Sequence, residues 1–408
     1  MKKLVILTLS LAFALQSFAQ LENVKVKLYG EMRNYVLYNS HASQESADGG
    51  YFLYPLDKKN GANGDLNNYT NGTMYCMHTR MGLNIAVPDF LGAKATAKIE
   101  MDFRGFSTTI GVVRMRHAYF NLDWGKSTLL VGQTWHPLFG DVSPDVINLA
   151  TGAPFQPFSR SPQIRYRYTN SHLQLTGALV WQTLFNSKGP KGSSEEYIRN
   201  SGIPEIFGGV NYVSKNFLAG VGAEVLSLRP LLYTEGTGGT YKTNERITTI
   251  SYEAHLKYAK DKWFFAAKST MGSNLTQTGC IGGFGVKANS INKETGKQEY
   301  TPITTSSSWL NIVYGKKWKE GIFVGYMKNL GSNDALESTS PIYGNATNMD
   351  QLANVGLDLT YNLPHWKFGI EGTVCKAKYG TIDLENGKVK NTHSVTNNRI
   401  MGNVTLKF

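Results

Sequence analysis

The segment 93–104, which reads AKATAKIEMDFR, alternates strictly between two kinds of side chain. One parity is entirely apolar, and the other carries five charged side chains and one threonine. A period of two places neighbouring side chains on opposite faces of a β-strand. A sheet of such strands must therefore meet an apolar medium on one face and water on the other.

The same alternation recurs along the chain, for example over 24–33, 250–258 and 366–375. An average globular strand has roughly 5 to 6 residues and a membrane-spanning strand roughly 9 to 11, and these segments reach the second length. After residue 19 the sequence has no apolar run of about 18 residues, so a transmembrane helix is not expected. The pattern favours membrane-spanning strands.

The alternation predicts sixteen strands, joined by connections that are short and long in turn. This order is typical of an antiparallel up-and-down β-barrel with tight turns at one end and loops at the other. The long connections are rich in Gly, Asn, Ser and Thr, as water-exposed loops are. We therefore predict an all-β barrel with strands at 24–38, 75–87, 93–105, 112–123, 127–135, 161–169, 172–182, 204–212, 217–228, 247–258, 263–271, 306–314, 322–330, 351–361, 366–376 and 397–408.

An aromatic residue lies at or beside each short connection. Aromatic rings favour the headgroup zone of a membrane, because the ring is apolar while its polar edge can stay wet. Their coincidence with the turns therefore predicts a membrane interface at the turn side of the barrel. The residues are Phe90, Trp124, Tyr168, Tyr212, Phe217, Tyr258, Trp263, Tyr314, Trp318, Tyr361 and Trp366.

Residues 1–19 have the three parts of a secretory signal peptide: a basic start, a short apolar run and a small residue, Ala19, at the cleavage site. We expect cleavage there, which leaves residues 20–408 as a single barrel domain. The three cysteines lie at wide, unrelated spacings, so we expect them to stay free.

The last strand alternates up to the terminal residue, Phe408. Here the sequence resembles the outer-membrane β-barrel proteins of Gram-negative bacteria, whose last strand typically ends in an aromatic residue. It is most similar to the general and DcaP-like porins, and to Bacteroidetes members in its Ala19-Gln20 start. The resemblance implies a homotrimer in the bacterial outer membrane, in contact with lipid and lipopolysaccharide, with short periplasmic turns, long extracellular loops and passive diffusion of small hydrophilic solutes.

A barrel of about sixteen strands is too wide to be filled by its own side chains, so its lumen holds water. The connection 136–160 contains four prolines and takes the position of the third loop, which in porins folds inward and narrows the barrel. We expect it to be the constriction loop. The candidate pore-lining residues are Arg33, Arg80, Lys98, Glu100, Asp102, Arg104, Arg114, Arg116, Asp141, Asp145, Arg165 and Arg167.

A basic wall facing Asp141 and Asp145 of this loop would create a field across the pore, and a net basic rim would attract anions. We therefore predict a mild preference for anionic over cationic solutes, with neutral solutes also admitted. The alternative is that the arginines brace the loop by pairing with carboxylates. The direction of Arg116 stays open, because the alternation slips on its strand and a bulge would explain the slip.

The sequence offers little for catalysis or metal binding. The eight histidines show no metal-ligand spacing, and neither Gly-x-Ser-x-Gly nor a P-loop occurs, so we expect no enzyme activity, cofactor or metal. The basic residues are dispersed and no recognition helix is evident, which argues against nucleic-acid binding. Three alternatives to a diffusion channel stay open: a channel selective for carboxylates or phosphate, a non-conducting adhesin or receptor barrel, and a membrane hydrolase.

Overall fold

The computed structural model describes residues 23–46, 51–105, 109, 111–148 and 151–408, and the predicted signal peptide at 1–19 lies outside these residues. The described chain forms a closed antiparallel barrel of sixteen strands, as predicted. The strands are β1 (Lys25–Asn39), β2 (Asn71–Tyr75 and Arg80–Phe90), β3 (Ala93–Asp102), β4 (Arg114–Asp123), β5 (Ser127–Trp135), β6 (Arg160–Asn170), β7 (Leu173–Val180), β8 (Glu205–Val213), β9 (Phe217–Leu228), β10 (Ile247–Lys260), β11 (Trp263–Ser273), β12 (Tyr300–Gly315), β13 (Trp318–Ser332), β14 (Met349–Asn362), β15 (Trp366–Ile382) and β16 (Val389–Lys407).

The barrel closes between its first and last strands. Glu31 of β1 lies opposite Lys407 of β16, and the pairing runs on to Asn39 opposite Arg399. Every other strand pairs with the strands before and after it. Closure pairs the backbone groups of the sheet with one another, which is the condition for a sheet to lie in hydrocarbon.

β2 is interrupted by a bulge that the sequence did not predict. Tyr75 lies opposite Tyr35 before the interruption, and Arg80 lies opposite Glu31 after it, so β2 uses one residue more than β1 over this stretch. The hydroxyl of Thr79 accepts the backbone N–H of Arg33 at 3.3 Å there. The strand predicted at 75–87 is therefore two segments in the structure. The first begins before residue 75, at Asn71, and the second ends after residue 87, at Phe90.

The two faces of the barrel differ as the alternation predicts. On β3, Ile99 is 45% exposed on the outside, whereas Glu100 beside it is 4% exposed on the inside. On β15, Val374 is 52% exposed and Cys375 is fully buried. The outer face therefore carries the apolar side chains, and the charged parity points into the barrel.

The turn side carries the predicted aromatic residues. The rings of Trp263 and Tyr314 lie 4.7 Å apart across β11 and β12, and those of Trp318 and Tyr361 lie 4.7 Å apart across β13 and β14. Trp263, Tyr314 and Trp318 are exposed on the outer surface, and Tyr361 is partly exposed. None of the described helices is long and apolar enough to cross a membrane.

The long connections at the other end contain short elements of their own. They are the hairpins Ser43–Ser46 with Tyr51–Pro55, Asn60–Gly61 with Gly64–Asp65, Lys188–Gly189 with Gly192–Ser193 and Tyr233–Gly236 with Gly239–Lys242, the strands Gly282–Val286 and Tyr343–Asn345, the helix α1 (Glu196–Ser201) and the 3₁₀ turn Thr276–Thr278. Gly282–Val286 pairs with both β12 and Tyr343–Asn345, and the segment 274–286 is largely buried. The loops therefore form an ordered cap.

The last strands are longer than predicted. The alternation placed their ends at 376 and 397, but β15 and β16 continue and leave only the turn 383–388 between them. Beyond the membrane zone both faces of a hairpin lie in water, so its side chains need not alternate. The backbone pairing continues where the sequence pattern has stopped.

Candidate pore constriction

The segment 136–159, here called L3, folds into the barrel and packs on the strands from β10 to β15. Nζ of Lys268 donates hydrogen bonds to the carbonyls of Leu138 and Phe139, at 2.6 and 2.8 Å. On β12, the hydroxyl of Ser307 donates to the carbonyl of Phe155 at 2.9 Å. These bonds satisfy backbone groups of L3 that would otherwise be buried without partners.

The tip of L3 is fixed by polar side chains of the same wall. Glu371 Oε2 on β15 accepts the backbone N–H groups of Ile147 and Asn148, at 3.0 and 2.9 Å. Oδ1 of Asn311 on β12 accepts the backbone N–H of Asp145 at 2.8 Å. L3 thus packs against one side of the barrel interior.

A cavity of about 260 Å³ lies between L3 and the wall of β1 to β4. Five arginines line it, which the sequence predicted for the lumen. The L3 side is uncharged and partly aromatic. The lining residues are Arg33, His78, Arg80, Arg104, Arg114, Arg116, Trp135, Phe139, Ser143, Val146, Asn148, Thr151 and Phe158; the five arginines among them are called the arginine group below.

Two members of the arginine group are held by buried carboxylates. Arg114 binds Asp102 with two hydrogen bonds, of 3.0 Å from Nε and 2.5 Å from Nη2. Arg116 reaches Glu100 from Nε at 2.6 Å and Asp102 from Nη1 at 3.0 Å. Because bidentate pairing fixes the plane of a guanidinium, these groups are held rigidly in the wall.

A bulge in β4 explains how Arg116 joins this network. Glu100 pairs with His117 and the next residue, Met101, pairs with Met115, so Arg116 is the extra residue. Arg116 and His117 are both buried, and Phe120 beyond them is again on the exposed face. The Arg116 side chain, whose direction the sequence left open, therefore points into the barrel.

The arginines nearest the middle of the wall share a third carboxylate. Glu31 Oε1 lies 2.7 Å from Nε of Arg33 and 3.0 Å from Nε of Arg80. Lys98 stands 3.7 Å from Glu100, close to the ring of Tyr29. The basic wall thus contains its own acidic partners, Glu31, Glu100 and Asp102, with the positive charges in excess.

One fully buried arginine is not among the predicted residues. Arg160, at the start of β6, is enclosed by aromatic rings, with its guanidinium carbon 4.7 Å from the ring centre of Trp135 and 5.3 Å from that of Phe185. Its three side-chain nitrogens have no hydrogen-bond partner among the described residues. The aromatic rings and the attraction of the Asp102 carboxylate stabilise this charge, which adds to the positive potential beside the arginine group.

The two L3 carboxylates do not face the arginine group. Asp141 pairs with Arg167 at 2.5 Å and shares a narrow crevice with it and Arg165. Asp145 pairs with Lys319 of β13 at 2.8 Å. Asp141 therefore contacts the predicted basic wall at Arg167, whereas Asp145 binds a lysine outside that wall, and neither acid lines the cavity of the arginine group.

Sequence reasoning missed several residues that shape the constriction. Glu31 carried a usable signal, since it shares the inward parity of Arg33. His78 and Arg160 carried none, because a bulge and a loop end place them. A buried cluster of His136, Glu205 and Glu224 at the root of L3 was also missed, since its members come from distant segments.

The comparisons with known proteins agree with this fold. The sequence model of the DcaP outer membrane protein family matches residues 15–192. No curated protein matches the chain. Among solved structures, the outer membrane channel DcaP of Acinetobacter baumannii superposes with a TM-score of 0.69 at 17% identity, over 95% of this chain and 98% of that one.

More distant porin-like barrels share the fold as well. The in-vitro folded OmpT of Vibrio cholerae has a TM-score of 0.55 at 10% identity, over 95% of this chain and 98% of that one. OmpF of Salmonella typhi has a TM-score of 0.52 at 11% identity, over 95% and 98%. The predicted resemblance is thus confirmed: the chain has the fold of the outer-membrane porins, and its residues 15–192 match the DcaP outer membrane protein family.

Proposed function

We propose that the protein is a passive diffusion channel for small hydrophilic solutes, with a mild preference for anions. The arginine group carries this proposal, because five arginines line one cavity at the narrow part of the lumen while three carboxylates pair with them. The excess positive charge raises the local concentration of anions without any chemical reaction. On this proposal the protein is not an enzyme.

Conductance in planar bilayers tests the proposal. We expect open-channel steps and a reversal potential, under a potassium chloride gradient, that indicates chloride selectivity. Arg33→Gln and Arg80→Gln remove charges from two partly exposed side chains of the cavity, which are 26% and 21% exposed. Each should shift the reversal potential toward cation selectivity, whereas Lys316→Gln on an exposed turn should not.

A folded barrel that gives no conductance would contradict the proposal and favour the adhesin or receptor alternative. Turnover of a lipid or peptide substrate would favour the hydrolase alternative. Anion selectivity that persists in Arg33→Gln and Arg80→Gln together would show that other residues set it.

A second candidate function is selective transport of carboxylates or phosphate. The observation that favours it is the density of guanidinium groups, whose planar forks match these anions with paired hydrogen bonds. Competition separates the two functions, since dicarboxylates or phosphate should block the chloride current of a selective channel at low concentration and leave that of a general one unchanged.

We further propose that the protein assembles as a homotrimer within outer-membrane lipid and lipopolysaccharide. A trimer form is known of OmpT of Vibrio cholerae, which shares the fold at 10% identity over 95% of this chain and 100% of that one, with a TM-score of 0.53. Mass measurement of the purified protein in detergent tests the stoichiometry, and a single mass of one chain would contradict it.

A further inference from the structure

Two buried carboxylates lie side by side at the root of L3, outside the arginine group. Glu205 of β8 and Glu224 of β9 are 0% and 1% exposed. Oxygens of both carboxylates and a ring nitrogen of His136, the first residue of L3, all lie within 4.8 Å of one another. The barrel wall and the loop root meet at this cluster.

The cluster has more negative than positive charge. Among the described residues, His136 is the one basic side chain within 4 Å of these carboxylates, at 2.7 Å from Glu205 and 3.7 Å from Glu224, and neither carboxylate pairs with a lysine or an arginine. Like charges so close repel strongly where the surroundings are poorly polarisable, and an uncompensated buried carboxylate is costly. The pair therefore needs a positive charge beside it, which is either a proton or a bound cation.

Glu224 has the free oxygens that a cation requires. In the described part of the chain, no backbone N–H and no side chain other than the neighbouring Glu205 shares a hydrogen bond with either of its carboxylate oxygens. Glu205, in contrast, accepts hydrogen bonds from Nε2 of His136 at 2.7 Å and from Nε2 of Gln182 at 2.6 Å, which fix its orientation. Its oxygens keep further lone pairs that can bind a metal ion.

His136 acts as a hydrogen-bond donor to this pair. The backbone N–H of Leu138 donates to its Nδ1 at 3.1 Å, so Nδ1 is the unprotonated nitrogen of the neutral ring. Nε2 then carries the proton and donates it to Glu205. A protonated nitrogen cannot ligate a metal, so the available ligands are all oxygens, which calcium and magnesium prefer, whereas zinc favours nitrogen and sulfur.

We propose that Glu205 and Glu224 bind one calcium ion, with His136 and Gln182 holding Glu205 in position. Calcium fits better than magnesium, because it accepts irregular carboxylate geometry while magnesium demands a near-ideal octahedron. Since His136 opens L3, the ion fastens the root of the loop to β8 and β9. The proposal concerns binding alone and does not depend on conduction.

Calcium titration of the purified, untagged barrel in detergent, after removal of metals with a chelator, tests the proposal by calorimetry. We expect one saturable calcium site per chain. Glu224→Gln keeps the shape of the side chain and should weaken binding by about tenfold or more, the loss seen even when a residue that only supports a ligand is changed. Glu337→Gln, which alters an exposed loop carboxylate, is the control and should bind as the wild type does.

His136→Gln separates the donor role from a ligand role. The glutamine amide still offers an N–H to Glu205, so calcium binding should persist. Zinc binding that is tighter than calcium binding and is lost in His136→Gln would overturn the assignment of oxygen ligands.

Two further results would overturn the proposal. The first is that the folded wild type shows no saturable calcium binding, which would mean that a proton supplies the positive charge. The second is that folded Glu224→Gln binds calcium as the wild type does. Folding is followed by the heat-dependent shift in gel mobility. If Glu224→Gln does not fold, Glu224→Asp, which withdraws the carboxylate by one methylene, should weaken calcium binding instead.

Discussion

The carboxylate of Glu371 accepts the backbone N–H of Ile147 at 3.0 Å and so ties the wall of the barrel to the tip of L3. The next amide, that of Asn148, binds the same oxygen. A hydrogen bond to a charged group contributes about 1.5–3 kcal/mol. The position of the tip of L3 therefore depends in part on this buried side chain.

We predict that Glu371→Ala loosens the tip of L3. The two amides lose their acceptor, and the loop should then sample more positions, seen as larger current fluctuations of the open channel in planar bilayers. Glu385→Gln, which changes an exposed turn, should leave the fluctuations unchanged. Currents as quiet as those of the wild type would mean that the other contacts of L3 suffice.

We predict that Asp102→Asn lowers the stability of the barrel. Asp102 is fully buried and compensates Arg114 and Arg116; loss of its charge leaves Arg114 without an ionic partner among the described residues, and leaves Arg116 with Glu100 alone. Breaking a buried ion pair typically costs about 3–5 kcal/mol. Urea unfolding in detergent micelles measures the change, and Asp89→Asn at an exposed strand end is the control. Equal stability of both variants would contradict the prediction.

We predict that neighbouring residues of β3 report different surroundings. A spin label at Ile99 should be reached by oxygen dissolved in lipid, and a label at Lys98 by a water-soluble nickel complex, because the two side chains leave opposite faces of the strand. In addition, Ile99→Arg should destabilise the barrel by about 2–4 kcal/mol if it lies near the bilayer midplane. Equal accessibility of both labels would contradict the sidedness of the whole barrel.

We predict that the ion pair between Asp145 and Lys319 is lost only in strong acid. Burial alone would raise the pKa of Asp145, but the hydrogen bond from Lys319 and the charge of Lys367 hold it below the ordinary value of 3.8. A lowered pKa in the folded state means that the pair contributes its full stability above the ordinary pKa and loses it as the pH falls through the lower, folded value.

The stability difference between the wild type and Asp145→Asn measures this contribution. It should be constant from about pH 7 to about pH 5 and vanish in more acidic solution, below the ordinary pKa. A difference that disappears already near neutral pH would show that the pKa of Asp145 is not lowered.

The alternation of side chains determined the fold by itself. Segments such as 93–104 can satisfy both of their faces only in a closed barrel between lipid and water, so strand number, direction and sidedness followed from a local pattern. The ends of the strands could not be predicted from the alternation. Backbone pairing continues beyond the membrane, where both faces of a strand lie in water and its side chains need not alternate. The bulges of β2 and β4 were equally hidden, since one extra residue changes parity without a clear signal in composition.

The tertiary structure alone decided how the charges meet. The sequence could place Arg114, Arg116 and Glu100 inside the barrel, but not show that they form one network across a bulge. It could not show that Asp145 turns to Lys319, because the path of L3 is set by contacts with distant strands. Glu205 and Glu224 are neighbours only because β8 and β9 lie side by side and His136 returns to them. The face on which a side chain lies is a property of its own strand. The contacts between these charged side chains depend instead on the register between strands and on the path of L3.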